Sequence, residues 1–324
     1  MQFTLKQMEK WPLKTAVTVC GSTAPTNPEI RSRLKRRGWE MGSRFTTVEK
    51  ALHQIESGRA SVLIIEDSTK LPVAVALRQI LSSINGLLTP TIAVADPRSA
   101  EEKACFSSIG HSITLETPLN PSKFIENFEY LIHRWSQSYY ADLYYAGQDL
   151  REGNVQNCIK KLSAIMTSNE IGALTIAGPC LSLFFRNTNL KTSEKILLSL
   201  LGKAKKNMGV ILSLVDLYLN YGMPNLALRL LKSAEATYNR PKTIALDQIQ
   251  TFLLLNMDHK AIPILERMIK ESFMPEWSQK AIKPILYTCG KHRQLKSALG
   301  GNARDIEAFI KAWTPPKKAT KVAV

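Results

Sequence analysis

The first 135 residues alternate short apolar runs with segments whose apolar residues recur every three or four positions. KTAVTVC (14–20) is a β-branched run closed by Gly-Ser-Thr, which predicts a strand and a loop. Asn27-Pro28-Glu29 opens a helix that carries Ile30 and Leu34 on one side and stops at Gly38. Thr46 or Thr47 caps a second helix, with Val48, Ala51, Leu52 and Ile55 on one face and Gly58 closing it. SVLIIE (61–66) is apolar throughout, as a strand is when helices cover both faces of its sheet. A third helix is expected through Val73, Val75, Leu77, Ile80 and Leu81 to Gly86, followed by a strand, TIAVA (91–95). A helix from Ser99 to Gly110, a strand SITLE (112–116) and a helix from Ser122 bearing Phe124, Ile125, Phe128, Leu131 and Ile132 complete the series. Such alternation predicts an α/β fold, a doubly wound five-stranded parallel sheet with right-handed crossovers, over residues 14–135.

After Ser136 the strand pattern stops and helical periodicity takes over. NYGMPNLALRLL (220–231) aligns with LNMDHKAIPILE (255–266), placing Ala227 on Ala261. Ser193 and Cys158 fall at the same phase earlier in the chain, and Leu295 falls at it later. Gly153, Gly222 and Gly290 recur near one phase of this period, where turns between paired helices need a left-handed residue. The pattern predicts an all-α superhelix over 136–313, each helix pair burying its apolar face on the next. Bulky core partners are Phe184, Tyr218, Leu231, Phe252 and Leu265. Gly178-Pro179 is expected to break or kink its helix. The unit around Leu295 reads as a cap, followed by a helix through Ile306, Phe309, Ile310 and Trp313, and 314–324 as a basic disordered tail. The change of pattern near Trp135 predicts two independently stable domains.

Charge separates the halves further. The net charge is +16. Residues 1–135 hold 17 basic and 13 acidic side chains, whereas 136–324 hold 26 and 14, so +12 of the excess lies in the helical half and its tail of Lys317, Lys318 and Lys321. That balance favours an acidic partner. The five cysteines are scattered without a Cys-x-x-Cys pair, which speaks against a disulfide framework or a zinc site and for a reducing, cytoplasmic setting. No apolar run is long enough to span a bilayer, so no membrane insertion is expected.

The order and spacing of RRGWEMGSRFTTVEKALHQIESGRASVLIIE, TPTIAVAD and ITLETPL resemble the receiver domain of two-component response regulators. The resemblance implies a phosphoacceptor pocket at the ends of the strands, and here that pocket is degenerate. Cys20 and Gly21 stand where the family has its acidic pair. Glu66 stands at the acceptor, or Asp67 if the register slips by one, Ala95 at the signalling Thr/Ser, and Thr117 at the lysine before Pro118. Phosphoryl transfer needs a carboxylate nucleophile, acidic metal ligands and a fixed cation, so the resemblance implies a pseudo-receiver serving as a docking surface. Glu66 has a second reading as a permanently charged imitation of a phosphorylated acceptor.

The 34-residue period, with a small residue in the second helix of each pair, resembles tetratricopeptide repeats. That resemblance implies a partner groove lined by the first helix of each pair, here Tyr140, Leu143, Asp216, Leu219, Asn220, Gln250, Leu253 and Leu254.

The five histidines lack metal-ligand spacing and read as surface or packing residues. No phosphate-binding glycine loop or catalytic motif is present, so no cofactor, metal or catalytic residue is assigned. Arg31, Arg33, Lys35, Arg36 and Arg37 read as a solvated helix face, and Tyr139, Tyr140, Tyr144 and Tyr145 as packing at the domain junction. The expected function is a non-catalytic signalling or assembly scaffold that binds protein, with self-association left open. Two alternatives stand beside it: a phosphorylatable regulator acting through Asp67, and a nucleic-acid-binding regulator.

Overall fold

The computed structural model describes residues 17–20, 28–67, 72–96 and 100–271 of the chain. It is a mixed α/β protein, mostly helical, in which a parallel sheet is followed by stacked helices. The strands are β1 (Val17–Cys20), β2 (Met41–Phe45), β3 (Val62–Glu66), β4 (Thr91–Ala95) and β5 (Ser112–Glu116), paired in parallel in the order β2-β1-β3-β4-β5. Leu63, Ile64, Ile65, Ile92 and Ala93 are fully buried in the central strands, because helices cover both faces of the sheet. Helices α1 (Pro28–Arg36) and α6 (Pro121–Trp135) pack together on one side, where Trp39 meets Phe128 edge-on at 5.0 Å between ring centroids. Helices α2 (Val48–Glu56), α3 (Val73–Leu81) and the single turn α4 (Ile84–Leu87) gather on the other, and α5 (Ala100–Ser107) flanks β5.

The segment expected to be one helix from Val73 to Gly86 is two. It stops at Ser82, and the Ser83 side chain accepts the Gly86 N–H to start α4, as serine does at a helix N-terminus. Thr47 takes the N-cap position of α2 but makes no side-chain capping bond.

Eight helices follow in four antiparallel pairs. They are α7 (Ser138–Arg151) with α8 (Val155–Ile165), α9 (Ile171–Phe185) with α10 (Leu190–Lys203), α11 (Met208–Asn220) with α12 (Pro224–Tyr238), and α13 (Ala245–Leu254) with α14 (Asp258–Lys270). Cys158, Ser193, Ala227 and Ala261, the residues that share one phase of the period, are all buried in the second helices. Small side chains there let paired helices approach, and where Ser193 brings a hydroxyl, it donates to the Ser182 carbonyl of α9 at 3.2 Å. Gly153 and Gly222 turn the first and third pairs at φ +82° and +67°, and Asn256, one period after Gly222, takes the same left-handed region at φ 55°.

Pro179 does not end its helix: α9 runs unbroken past it. The neighbouring Gly178 has a packing role of its own. A Cβ on Gly178 would lie 2.0 Å from Leu200 Cδ1, so its absence seats α10 directly on α9. The positions of Gly290, Leu295, Ile306, Phe309, Ile310, Trp313 and the 314–324 tail lie outside the described residues.

Where the two halves meet, the first helices α7, α9 and α11 face α3 and α4 of the α/β half, and the second helix α12 packs on α5. One continuous apolar cluster runs from Ile30 and the strands through Leu77, Ile80 and Leu88 into Ala146, Ile176, Leu212, Val215 and Ile244. Among the described residues, α13 and α14 build a separate cluster around Phe252, Leu265 and Met268, and Leu174, Leu200 and Val210 form a smaller one between α9, α10 and α11.

Candidate functional site

Two places were expected to carry function, and the fold assembles the first in part. Parallel pairing brings the ends of β1, β3, β4 and β5 to one edge of the sheet, with Cys20 opposite Ile65, Glu66 opposite Val94 and Ala95 opposite Glu116. Asp67 continues the edge through its N–H to the Val94 carbonyl (2.9 Å), and Thr117 through its N–H to the Ala95 carbonyl (3.2 Å). Cys20, Glu66, Asp67, Ala95 and Thr117 therefore share this edge, while Gly21 lies outside the described residues. The Thr117–Pro118 peptide is cis.

The chemistry of the edge is set by what each side chain touches. Ala95 is buried and apolar. The Asp67 carboxylate accepts the Val73 N–H at 2.9 Å, which satisfies a free donor in the first turn of α3. Burial raises the Asp67 pKa, opposed by that N–H and by Lys242, while Glu102 and Asp96 push it further up. Burial also raises Glu66, with Arg44 opposing. Lys242 belongs to the 3-10 turn Lys242–Ile244 that leads into α13, and its Nζ is 3.4 Å from Glu102 Oε1. The helical half thus places a cation beside the acids at the end of the sheet. Among the described residues, no group of three or more His, Cys, Asp or Glu side chains is arranged to hold a metal ion.

Of the expected groove residues, Tyr140, Leu143 and Asp216 do not line an open surface. Tyr140 and Leu143 are buried, Tyr140 against Trp135 with the Arg134 guanidinium over its ring, so neither offers a surface to a partner. Asp216 is engaged by the protein's own α3. The Arg78 guanidinium donates through Nε to Asp247 Oδ2 (3.0 Å), and through Nη2 to Asp247 Oδ1 (2.9 Å) and Asp216 Oδ1 (3.1 Å). Arg186 Nη1 reaches the other Asp216 oxygen at 3.3 Å. The two carboxylates raise the Arg78 pKa against the desolvation that burial imposes. Leu219 and Leu253 are half-buried against the apolar clusters, and only Asn220, Gln250 and Leu254 are exposed.

The seam contains further polar ties. Asn207 Nδ2 donates to the Ser108 carbonyl at 2.6 Å, and its Oδ1 accepts the Val210 N–H, so one side chain caps α11 and fastens α5 to it. The Ser108 hydroxyl accepts the Met208 N–H at 3.1 Å, and Cys105 Sγ lies 3.2 Å from Thr243 Oγ1. Burial pushes the Cys105 thiol up to about 12. Sequence reading missed Arg78, Asp247, Ser108 and Asn207, since their partners lie 99 to 169 residues away and each reads alone as an ordinary helix or loop residue.

The remaining candidates fall where packing puts them. Arg37 pairs with Glu129, and Arg33 with Glu29 and Ser122, while Arg31, Lys35 and Arg36 are exposed. Tyr144 is buried, and Tyr139 and Tyr145 are partly exposed. No described helix is long and apolar enough to cross a membrane. No protein-family model matches the chain, and comparison with curated proteins and with solved structures finds no match.

Proposed function

We propose that this chain is a non-catalytic cytoplasmic interaction scaffold, a five-stranded, doubly wound pseudo-receiver joined to tetratricopeptide-like helix pairs. The observation that carries the reading is the stack of four pairs with Cys158, Ser193, Ala227 and Ala261 buried at equivalent positions. Stacked pairs of this kind present long, regular surfaces to partner proteins. The sheet edge supports the same reading: Ala95 and Thr117 offer no charge, and the Asp67 carboxylate is occupied in holding the start of α3. The buried free thiols of Cys105, Cys158 and Cys180 suit a reducing compartment.

One observation favours a second reading, a phosphorylatable regulator. Lys242 supplies beside Asp67 the cation that Thr117 does not. Mass spectrometry of the full chain after incubation with acetyl phosphate and magnesium separates the two. The scaffold reading expects no added mass. A magnesium-dependent adduct that is lost in Asp67→Asn and reduced in Lys242→Ala would replace it with the second.

A further inference from the structure

The face of the array turned away from the α/β half carries a charge pattern that the fold does not explain. Successive first helices pack on one another, whereas the second helices α8, α10 and α12 lie outside them, α12 turning its buried side partly onto α5 and its other side to solvent. Lys160, Lys195 and Arg229 each stand two residues beyond the buried small residue of their helix, and all three are exposed. At 3.6 residues per turn that position lies about 160° from the buried one, pointing directly outward. Lys191 and Lys232 also fall within about 40° of the outward direction on the same geometry. With Lys203, these helices expose six cations, against two acids, Glu194 and Glu235, that are both only partly exposed. None of the six forms an ion pair among the described residues. The acids of α10 and α12 are engaged, Glu194 with the Tyr218 hydroxyl at 2.9 Å and Glu235 with Arg240 at 3.9 Å.

A merely solvated face interleaves the two signs, because a row of like charges repels itself. Lys205 and Lys206 extend this row into an open depression of about 560 Å³ beside the α10–α11 loop, lined also by Ser108, Asn207 and Tyr238. The pattern therefore fits a long anionic partner. No exposed aromatic ring lies on α8, α10 or α12 to stack a base. Three cations spaced one per helix pair are sparse against a duplex, which carries one negative charge per about 1.7 Å of its axis, and suit the wider-spaced carboxylates of an extended peptide. The tail, with Lys317, Lys318 and Lys321, and a second copy of this face are both repelled by it.

We infer that the outer face of α8, α10 and α12 is a docking surface for an acidic polypeptide segment, read by Lys160, Lys195 and Arg229 as one cation per helix pair. This rests on the scaffold reading and names its partner's chemistry. The test uses the full chain with fluorescent poly-L-glutamate, and with single-stranded and duplex oligonucleotides of equal charge, at low and physiological salt. The peptide is expected to bind more tightly than either oligonucleotide, and Lys160→Glu/Lys195→Glu/Arg229→Glu to weaken it by about tenfold or more with unchanged thermal unfolding. The matching Gln triple controls for folding and should lose an intermediate amount. A control reversal on α1, Arg31→Glu/Lys35→Glu/Arg36→Glu, should leave binding unchanged. Tighter oligonucleotide binding, peptide binding indifferent to the triple, or equal loss in the α1 control would each overturn the inference. Any of these leaves the scaffold reading standing, since that reading fails instead on magnesium-dependent phosphoryl uptake.

Discussion

The two halves of this protein bury apolar surface by different routes, and they reveal themselves differently. In the α/β half the central strands β3 and β4 are hydrophobic on both faces and buried almost from end to end. The helical half spreads its core over a repeated position, so that one small residue every 34 or 35 places marks where each pair closes. A sheet needs all its strands before its faces are covered, whereas an array adds one pair at a time. That contrast suggests two separable units. The seam opposes it, because the apolar cluster passes through without a break and a guanidinium is clamped between acids from α11 and α13.

Arg78→Ala is the sharpest way to separate the halves. It leaves Asp247 buried without its cation, and removing one member of a buried ion cluster costs about 3–5 kcal/mol. Arg186 still reaches Asp216, so the loss concentrates at Asp247. Urea unfolding should show one transition for the parent chain and a large fall in midpoint for the variant. Two transitions in the variant, reported separately by sheet and helix signals, would show the halves to be separable once the clamp is gone. Leu231→Ala, in a fully buried position of α12, is expected to cost about 2–5 kcal/mol in the same measurement. Because Leu231 belongs to the cluster that spans the seam, the α/β signal should shift with it.

What the sequence made legible follows from the range over which each signal acts. Strand runs and helix faces are written within a dozen residues, and the phase shared by Cys158, Ser193, Ala227 and Ala261 is legible although the residue types differ, because small size is what the position requires. Pro179 misled because the rule against an interior proline is local, whereas α9 is held by tertiary packing, with every residue from Ala173 to Ser182 buried. The groove misled for a related reason. The first helices do line a common face, but what covers Tyr140, Leu143 and Asp216 is the chain itself, and no local pattern records that Arg78 meets Asp247 across 169 residues. At the sheet edge, the acids were legible and the approach of Lys242 was not.

Acid should weaken the α/β half through one residue. His111, between α5 and β5, is fully buried, and neither ring nitrogen has a hydrogen-bond partner among the described residues. Burial lowers its pKa to about 4 from 6.5. Below 6.5 the unfolded chain takes up the proton first, so the stability present above that pH declines as pH falls towards 4. The full difference is on the order of 3 kcal/mol. Denaturation midpoints measured from pH 7 to 4 should fall in the parent and fall less steeply in His111→Leu. Parallel slopes would mean that the imidazole finds water or a partner when charged.

The smallest expected effect tests whether burial, rather than charge pairing as such, sets the scale at the seam. Glu29 and Arg33 form an i,i+4 pair on α1 at 2.5 Å, shorter than any contact Arg78 makes with Asp216 or Asp247. Their side chains are 53% and 34% exposed, against 7% for Asp247 and 13% for Arg78. Water screens the exposed pair and can solvate whichever partner is left, so Glu29→Gln should cost no more than about 0.5 kcal/mol. Asp247→Asn, by contrast, weakens both bonds to a guanidinium that water reaches poorly, and should cost several times as much. Thermal unfolding of the two variants under one buffer gives the ratio directly. Equal shifts would mean that water enters the seam freely, and the clamp would then hold the halves no better than an ordinary surface pair.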